Sequence, residues 1–387
     1  MPTPNQRPIR IAVVGAGLIT QAVHLPALQL LAPRFDLATV CDLSIERAAA
    51  VAAGVGDAVR AAGRYADVLE DDSIEAVLLA TSGTQAAQAA AALVAGKHVL
   101  AEKPLCLTRA EADDLERTAT SRQRVLQVGY MKMYDPAVSA ARHELDRLGE
   151  PTLIRITVLH PATAPQVAHV PVVPAGEIDR SALHAAQAHE RDRTRDAVGD
   201  VPAEIGAYYR DILQGSVIHE LSVLRGLGVP LPDRFDDADV WPWPVTGELP
   251  SLLARATIGE RTRLVLSWNW LPDYPAYREE VAVFSRNGCV RVDLAVPYRV
   301  DSRSTVHVER GGHGPAAPDG DHDDERTSPN GYLAQLEAFA ASVRDGAPVI
   351  ADTAGAAADT RCLQSLLVAV ADAVGVTVGG EAAAAIV

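Results

Sequence analysis

The sequence predicts an α/β chain in two parts: a doubly wound parallel sheet, then an α/β domain built on an antiparallel or mixed sheet. Three observations predict it. From residue 11 to about residue 128, short apolar strands alternate with alanine-rich helical stretches, as in strands joined by helical crossovers. Beyond residue 128 strands follow one another through short turns, and Arg286-Asn287-Gly288 is a hairpin signal. The chain has 387 residues, more than one core usually organises. The reading places the domains at 1–128 and 129–387.

In the first part, strands are read at Ile11–Val14, Asp36–Cys41, Ala76–Ala80, His98–Ala101 and Val125–Val128. Helices are read between them at Ser44–Ala53, Thr84–Ala95 and Thr108–Ala119. Ser44 and Thr108 are N-cap residues, and Glu111 stands at capping-box spacing from Thr108. Gly96 stops the second of these helices. In the second part, strands are read at Thr152–Leu159, Leu252–Ile258, Arg263–Trp268, Glu280–Phe284, Val290–Leu294 and Thr305–Glu309. Helical segments interrupt them at about 203–228 and 331–345; in the latter Leu333, Leu336, Phe339, Ala340 and Val343 share one face. Residues 160–200 mix Pro, His, Arg and Asp, with helical potential around Ser181–Arg195, and belong to a helical insertion at about 160–228. Residues 310–330 have almost no apolar content and are expected to be mobile. His313 and His322 stand there near Asp321, Asp323 and Asp324, and are read as solvated charge, not as a metal site. Trp268 and Trp270 are read as straddling a sheet.

Hydrophobic residues make up 48% and charged residues 22%, a globular balance. Aromatics are only 4%, so the core is built of small aliphatic side chains. The net charge of −15 repels phosphate backbones and anionic lipid, which argues against nucleic acid and membrane surfaces as partners. A local loop can still present positive potential to an anionic cofactor. No apolar run reaches a membrane span, and Met1 to Arg10 lack a signal-peptide stretch. Cys41, Cys106, Cys289 and Cys362 have no metal spacing and are read as free thiols in a reducing cytoplasm.

The segment IAVVGAGLIT sets Gly15 and Gly17 after a strand, with Leu18 and Ile19 opening a helix. Gly15 permits the tight turn, and Gly17 lets backbone N–H groups approach a pyrophosphate at the positive end of that helix. Thr20 replaces the third glycine of the fingerprint. Asp42, 22 residues beyond Thr20, ends the next strand near the offset of the acid that binds a ribose. A carboxylate there accepts both ribose hydroxyls and repels a 2′-phosphate, which favours NAD over NADP. The bland alternative is that Asp42 merely caps the helix near Ser44. Arg47 is placed either to pair with Asp42 or to reach a 2′-phosphate. Farther on, Glu102-Lys103-Pro104 ends a strand, which sets Lys103 at the sheet edge where ligands of open α/β sheets bind.

The stretches GAGLITQAVHLPAL, AGKHVLAEKPL and VGYMKMYDPAV occur in that order. Together they resemble the glucose–fructose oxidoreductase, inositol dehydrogenase and rhizopine-catabolism (Gfo/Idh/MocA) family. The resemblance implies an N-terminal Rossmann domain and a C-terminal α/β domain with a large, mostly antiparallel open sheet. It implies a nicotinamide-dependent oxidoreductase acting on a sugar, glycoside or cyclitol, and a homodimer or homotetramer formed through the second sheet. Carried onto this chain, Lys103 lies near the nicotinamide and the reacting hydroxyl, Glu102 helps position the cofactor and Thr81 touches it. The family often has a histidine a few residues after Thr81; this chain has Thr84-Gln85. Tyr130 at a cleft rim, Lys132 facing a substrate oxygen, and Glu220 are the substrate candidates.

His219 opens an amphipathic helix with Val217, Ile218, Leu221, Leu224 and Gly228 along its apolar face. By pattern alone it is a core-edge histidine. The family carries a catalytic or substrate-binding histidine in this segment, and histidine is the usual proton carrier near neutral pH. The family's aspartate four residues earlier is Gly215 here, which breaks an Asp–His pair. Glu220 cannot replace it, because neighbours in a helix do not face each other; it binds substrate or is solvated. The expected mechanism has Lys103 and His219 share proton transfer with the hydroxyl while hydride passes to or from the nicotinamide. Two rival readings stand: a reductase of a non-sugar carbonyl or imine on the same fold, and a non-catalytic NAD-binding sensor or scaffold, against which Lys103 argues.

Overall fold

The computed structural model describes residues 7–243, 249–311 and 330–385. The expectation of a mobile, metal-free loop at 310–330 falls on residues 312–329, outside the described residues, as do His313 and His322. The chain divides into two compact units: Met1–Tyr130 with His169–Thr194 and Tyr332–Ala357, and Met131–Ala168 with Arg195–Gly331 and Ala358–Val387. The division is therefore not a single cut in sequence, since two later segments rejoin the first unit.

The first unit holds a six-stranded sheet of β1 (Ile9–Val14), β2 (Phe35–Cys41), β3 (Arg60–Ala62), β4 (Ala76–Leu79), β5 (His98–Glu102) and β6 (Leu126–Gly129). Their order is β3-β2-β1-β4-β5-β6, every pair parallel. The order reverses direction at β1, which opens a crevice at the carboxyl ends of β1 and β4. All four residues of β4 are buried, as expected of strands covered on both faces. The helix signals act as read. Ser44 Oγ accepts from Arg47 N at 3.3 Å, and Thr108 and Glu111 form both bonds of a capping box. β3 is an addition to the sequence reading: three residues are too short to display a period.

The second unit holds a seven-stranded sheet of β7 (Pro151–His160), β8 (Phe235–Trp241), β9 (Ser251–Ile258), β10 (Thr262–Trp270), β11 (Arg278–Ser285), β12 (Gly288–Asp293) and β13 (Thr305–Arg310). Their order is β13-β12-β11-β7-β10-β9-β8. Only β7 and β10 pair in parallel, so the sheet is mixed and mostly antiparallel. Arg286 and Asn287 turn β11 into β12. A Cβ on Gly288 would lie 1.9 Å from the carbonyl oxygen of Glu309, so only glycine lets β13 approach there. β8 was not legible in the sequence: three aspartates and a register shift between Phe235 and Asp237 blur its alternation. Trp268 and Trp270 do not straddle the sheet. Residues two apart on a strand share a face, and their rings stack at 6.5 Å with 12° between planes.

Candidate active site

The site begins at the turn after β1. Gly15 has φ +94°, and a Cβ there would lie 2.5 Å from Ala80 O, so no other residue fits. A Cβ on Gly17 would meet nothing within 4 Å. Leu18 and Ile19 then start a helix, whose first-turn N–H groups have no partners within the helix. Open space in front of such donors suits a pyrophosphate. Thr20, in place of the third glycine, is fully buried and donates from Oγ1 to Gly15 O at 2.5 Å, tying helix to turn.

Asp42 stands beside this turn at the end of β2. Its Oδ2 accepts from Ala16 N and its Oδ1 from Ser44 N, both at 2.8 Å. Arg47 Nη2 reaches both oxygens, at 2.8 and 2.7 Å. Of the two placements open to Arg47, the structure shows the pair with Asp42. The carboxylate thus anchors two loops and engages all of its roughly four acceptor positions. A ribose binding here takes over the positions held by Arg47, because the backbone donors are fixed.

The carboxyl end of β5 carries Glu102 and Lys103. Glu102 Oε1 meets His24 Nε2 at 2.9 Å, and Glu102 Oε2 accepts from Lys103 N at 3.1 Å. In this structure Glu102 therefore orients the backbone at Lys103. Gly129 is needed beside it, since a Cβ there would lie 3.0 Å from Glu102 Cα. His24 is buried and lies at the end of the π-helical turn Thr20–His24, a geometry enriched at functional sites. Its role was not read from the sequence, although one polar residue inside Ala22-Val23-His24-Leu25 was the available signal. After β4, Thr81 Oγ1 bonds Gln85 Oε1 at 2.8 Å, and Gln85 Nε2 donates to Thr81 O at 2.8 Å and Gly83 O at 3.1 Å. Gln85, buried where the family often has histidine nearby, closes this loop. Tyr130 is fully buried, not at an exposed rim, because it continues the buried run of β6.

In the second unit two expectations are corrected. Lys132 is buried and ion-paired with Glu279, so its ammonium is committed to a carboxylate and does not stand open to a substrate oxygen. Glu220 is buried, so it is not solvated. It faces the same group: its carboxyl is pushed up to about 8, first by burial and then by the Glu279 charge, with Lys132 opposing. Tyr277 OH donates to Glu279 Oε2 at 2.6 Å. One ammonium among two buried carboxyls neutralises one of them, and Glu220 keeps the proton. Glu279 was missed, though a carboxylate in register with inward-facing Val281 and Val283 was a signal. His219 starts the helix Ile218–Gly226 and is half-buried. Gly215 lies in the π-helical stretch Tyr208–Val217, so α-helical spacing does not run unbroken up to His219. Next to Gly215, Ser216 Oγ accepts from Trp268 Nε1 at 2.9 Å. The rings of Trp268, Trp270 and Tyr277 each lie 5.5 Å from that of His160.

The buried cluster has a pH signature. A carboxyl whose folded pKa is raised favours folding below its unfolded value, and that contribution is lost as pH rises through the folded pKa. For Glu220 this window runs from about 4.5 to about 8. Glu220→Gln, which mimics the protonated form, is expected to gain thermal stability over the native chain progressively across that window. Melting temperatures measured from pH 5 to 9 check it; a constant difference between the two proteins would sink the assignment.

Other reactive side chains are held inert. All four cysteines are buried thiols outside any disulfide, and burial pushes the Cys41 thiol up to about 12 and that of Cys289 to about 11, which leaves little thiolate at neutral pH. Burial lowers His98 to about 4, and its Nδ1 accepts from Val125 N at 3.0 Å. Among the described residues no group of three or more His, Cys, Asp or Glu is placed to hold a metal ion.

Residues 9–130 match the Gfo/Idh/MocA family model, described as "Oxidoreductase family, NAD-binding Rossmann fold". Over this domain the chain is similar to the Gfo/Idh/MocA oxidoreductases. Inositol 2-dehydrogenase 3 of Saccharopolyspora erythraea is 33% identical over 168 residues, which cover 42% of this chain and 48% of that one. The chain spans about half the length of the curated relatives it matches. Two solved structures share the fold across almost the whole chain. UDP-N-acetylglucosamine 3-dehydrogenase GnnA of Acidithiobacillus ferrooxidans has a TM-score of 0.66 at 23% identity, covering 94% of this chain and 98% of its own. GenD2 of gentamicin A biosynthesis, in complex with NAD, has a TM-score of 0.65 at 22% identity, covering 96% and 97%.

Proposed function

We propose that this chain is an NAD-dependent oxidoreductase of the Gfo/Idh/MocA family that moves a hydride to or from a carbinol or keto carbon of a sugar, glycoside or cyclitol. The observation that carries the reading is one edge of the parallel sheet. It combines the open glycine turn, Asp42 on that turn, and Lys103 at the carboxyl end of β5. The inositol 2-dehydrogenases among the relatives support a polyhydroxylated substrate. Gly15, Gly17, Leu18 and Ile19 would hold the pyrophosphate and Asp42 the ribose, with Thr81 at the crevice loop after β4. When bound, NAD supplies the hydride acceptor at the nicotinamide. Lys103 Nζ and the His219 imidazole are the acid–base groups: as hydride leaves the carbinol carbon, one of them takes the hydroxyl proton, and in reduction it returns that proton to the oxygen. Glu102, clamped by His24, positions Lys103. Glu220 and Lys132 support the His219 segment through Glu279.

The test is reduction of NAD and of NADP, followed by nicotinamide absorbance, with a panel of cyclitols, sugars and nucleotide sugars. Turnover with at least one polyol, faster with NAD, is expected. Turnover only with imines or simple ketones would overturn the substrate class. NADH binding without turnover on any of them would favour a sensor.

The reading includes a cytoplasmic location, consistent with four cysteines outside any disulfide, and a homodimer or homotetramer through the outer face of the seven-stranded sheet. Leu153 and Leu253 stand on that face, each 37% exposed, among Arg155, Thr157 and Val265. Light scattering is expected to give two or four copies. The double variant Leu153→Glu/Leu253→Glu is expected to shift the mass to one copy, because it puts charge into a desolvated contact. An unchanged mass would place the contact elsewhere.

A further inference from the structure

His169–Thr194 enters the chain long after β6, yet it belongs to the compact unit of the parallel sheet. It is attached there at three places on the sheet's carboxyl edge. At the π-helical turn after β1, Val173 N donates to Gln21 Oε1 at 2.7 Å and Gln21 Nε2 donates back to Val173 O at 3.0 Å. The same Nε2 donates to Ala16 O, in the glycine turn, at 2.8 Å. At the loop after β2, Gly176 N donates to Ser44 Oγ at 3.0 Å and Glu177 N to Glu46 Oε2 at 3.1 Å. At the loop after β4, Glu190 on the helix Arg180–Val198 lies against Gly83: a Cβ on that glycine would be 2.8 Å from Glu190 Oε1.

The first two attachments are hydrogen bonds between backbone groups of an exposed segment and the side chains of Gln21, Ser44 and Glu46; the third is a close approach of the Glu190 side chain to Gly83. Val172 is 38% exposed, so the stretch is not there to bury a core. Pro171 and Pro174 flank Val173 and lower the entropy lost on holding the segment in place. The attachments leave the phosphate position clear, since nothing lies within 4 Å of a Cβ on Gly17. They bracket the corner instead, from Gln21 on one side to Ser44 and Glu46 on the other, with Asp42 between.

We propose that residues 173–177 are a strap across the adenosine-ribose subsite that retains the bound cofactor, so that release of NADH requires the strap to lift. This rests on the reading of that corner as the NAD site. Bonds that must break before release act on the dissociation rate more than on association.

The experiment uses the full chain and stopped-flow release of NADH, followed by its fluorescence. Val173→Pro removes the N–H that Gln21 accepts. Gly176→Pro removes the one that Ser44 accepts, and also places carbon where Glu46 Oε2 lies 1.6 Å from a Cβ position. Both substitutions fall in an exposed segment, and unchanged melting temperatures check that the fold stands. Each is expected to raise the dissociation rate about tenfold, from the one or two hydrogen bonds lost. Gln21→Leu is expected to do the same, with Val173→Pro adding little in that background, because both remove one contact. Dissociation rates equal to that of the native chain would overturn the strap. So would tighter NADH binding in the variants, which would make the segment an obstruction. Failure of the native chain to bind NADH at all would overturn the cofactor site itself, and is seen before any variant is made.

Discussion

Lys103→Ala is expected to lower turnover by on the order of 10²–10⁴ while leaving NAD affinity within about a few-fold. The strand order separates the two effects. The glycine turn follows β1 and Asp42 follows β2, whereas Lys103 follows β5, with β4 between β5 and β1. Two strand spacings put the lysine about 10 Å along the sheet from the pyrophosphate turn. On the proposed reading its side chain would serve the reacting end of a dinucleotide laid across the crevice. His219→Ala is also expected to lose turnover, and the double variant to lose less than the product of the two if both groups act on one hydroxyl. Steady-state kinetics with NAD titration on the three proteins decide it. Near-normal turnover in Lys103→Ala would end the proposed mechanism. Loss of NAD binding with no separate chemical defect would make Lys103 a cofactor clamp and leave His219 as the acid–base group.

Asp42→Ser is expected to weaken NAD binding by about 10²-fold and to improve NADP relative to NAD. Two charge-assisted hydrogen bonds to ribose hydroxyls are lost, each worth about 1.5–3 kcal/mol in full and less after compensation by water. The guanidinium of Arg47, now held by both Asp42 oxygens, is released at the position a 2′-phosphate would occupy, and arginine is suited to bind it. A serine still offers an acceptor to Ser44 N, which limits disturbance of the loop. Calorimetric titration of both cofactors against both proteins checks the result. NAD affinity within twofold of the native value would reduce Asp42 to the loop anchor that its bonds to Ala16 and Ser44 already make it.

The first domain was legible because its signals are local. Apolar runs bounded by glycine, the capping box at Thr108 and the offset from the glycine turn to Asp42 can each be read within a few turns of chain. Resemblance added Lys103 and His219, which periodicity alone would have left as a loop lysine and a core-edge histidine. The misreadings share a cause. Lys132, Glu220 and Tyr130 were substrate candidates by resemblance, which carries a position in the sequence but not its burial. Their burial depends on partners far away in sequence: Glu279 lies 147 residues from Lys132.

Thus the sequence by itself determined the two sheets, the glycine turn, the acid beside it and the lysine at the end of β5, since each is written as a period or a short spacing. Only the tertiary structure decided that Arg47 sits on Asp42, that His24 holds Glu102, and that a buried ammonium and two carboxyls lie within the second unit. It also decided that residues 169–194 join the first unit and bond to Gln21 and Ser44. The reason is physical. A strand or helix is specified by its own side-chain pattern, whereas a buried charge or an exposed strap is stable only against groups that folding brings to it, and those groups leave no periodic trace in the chain.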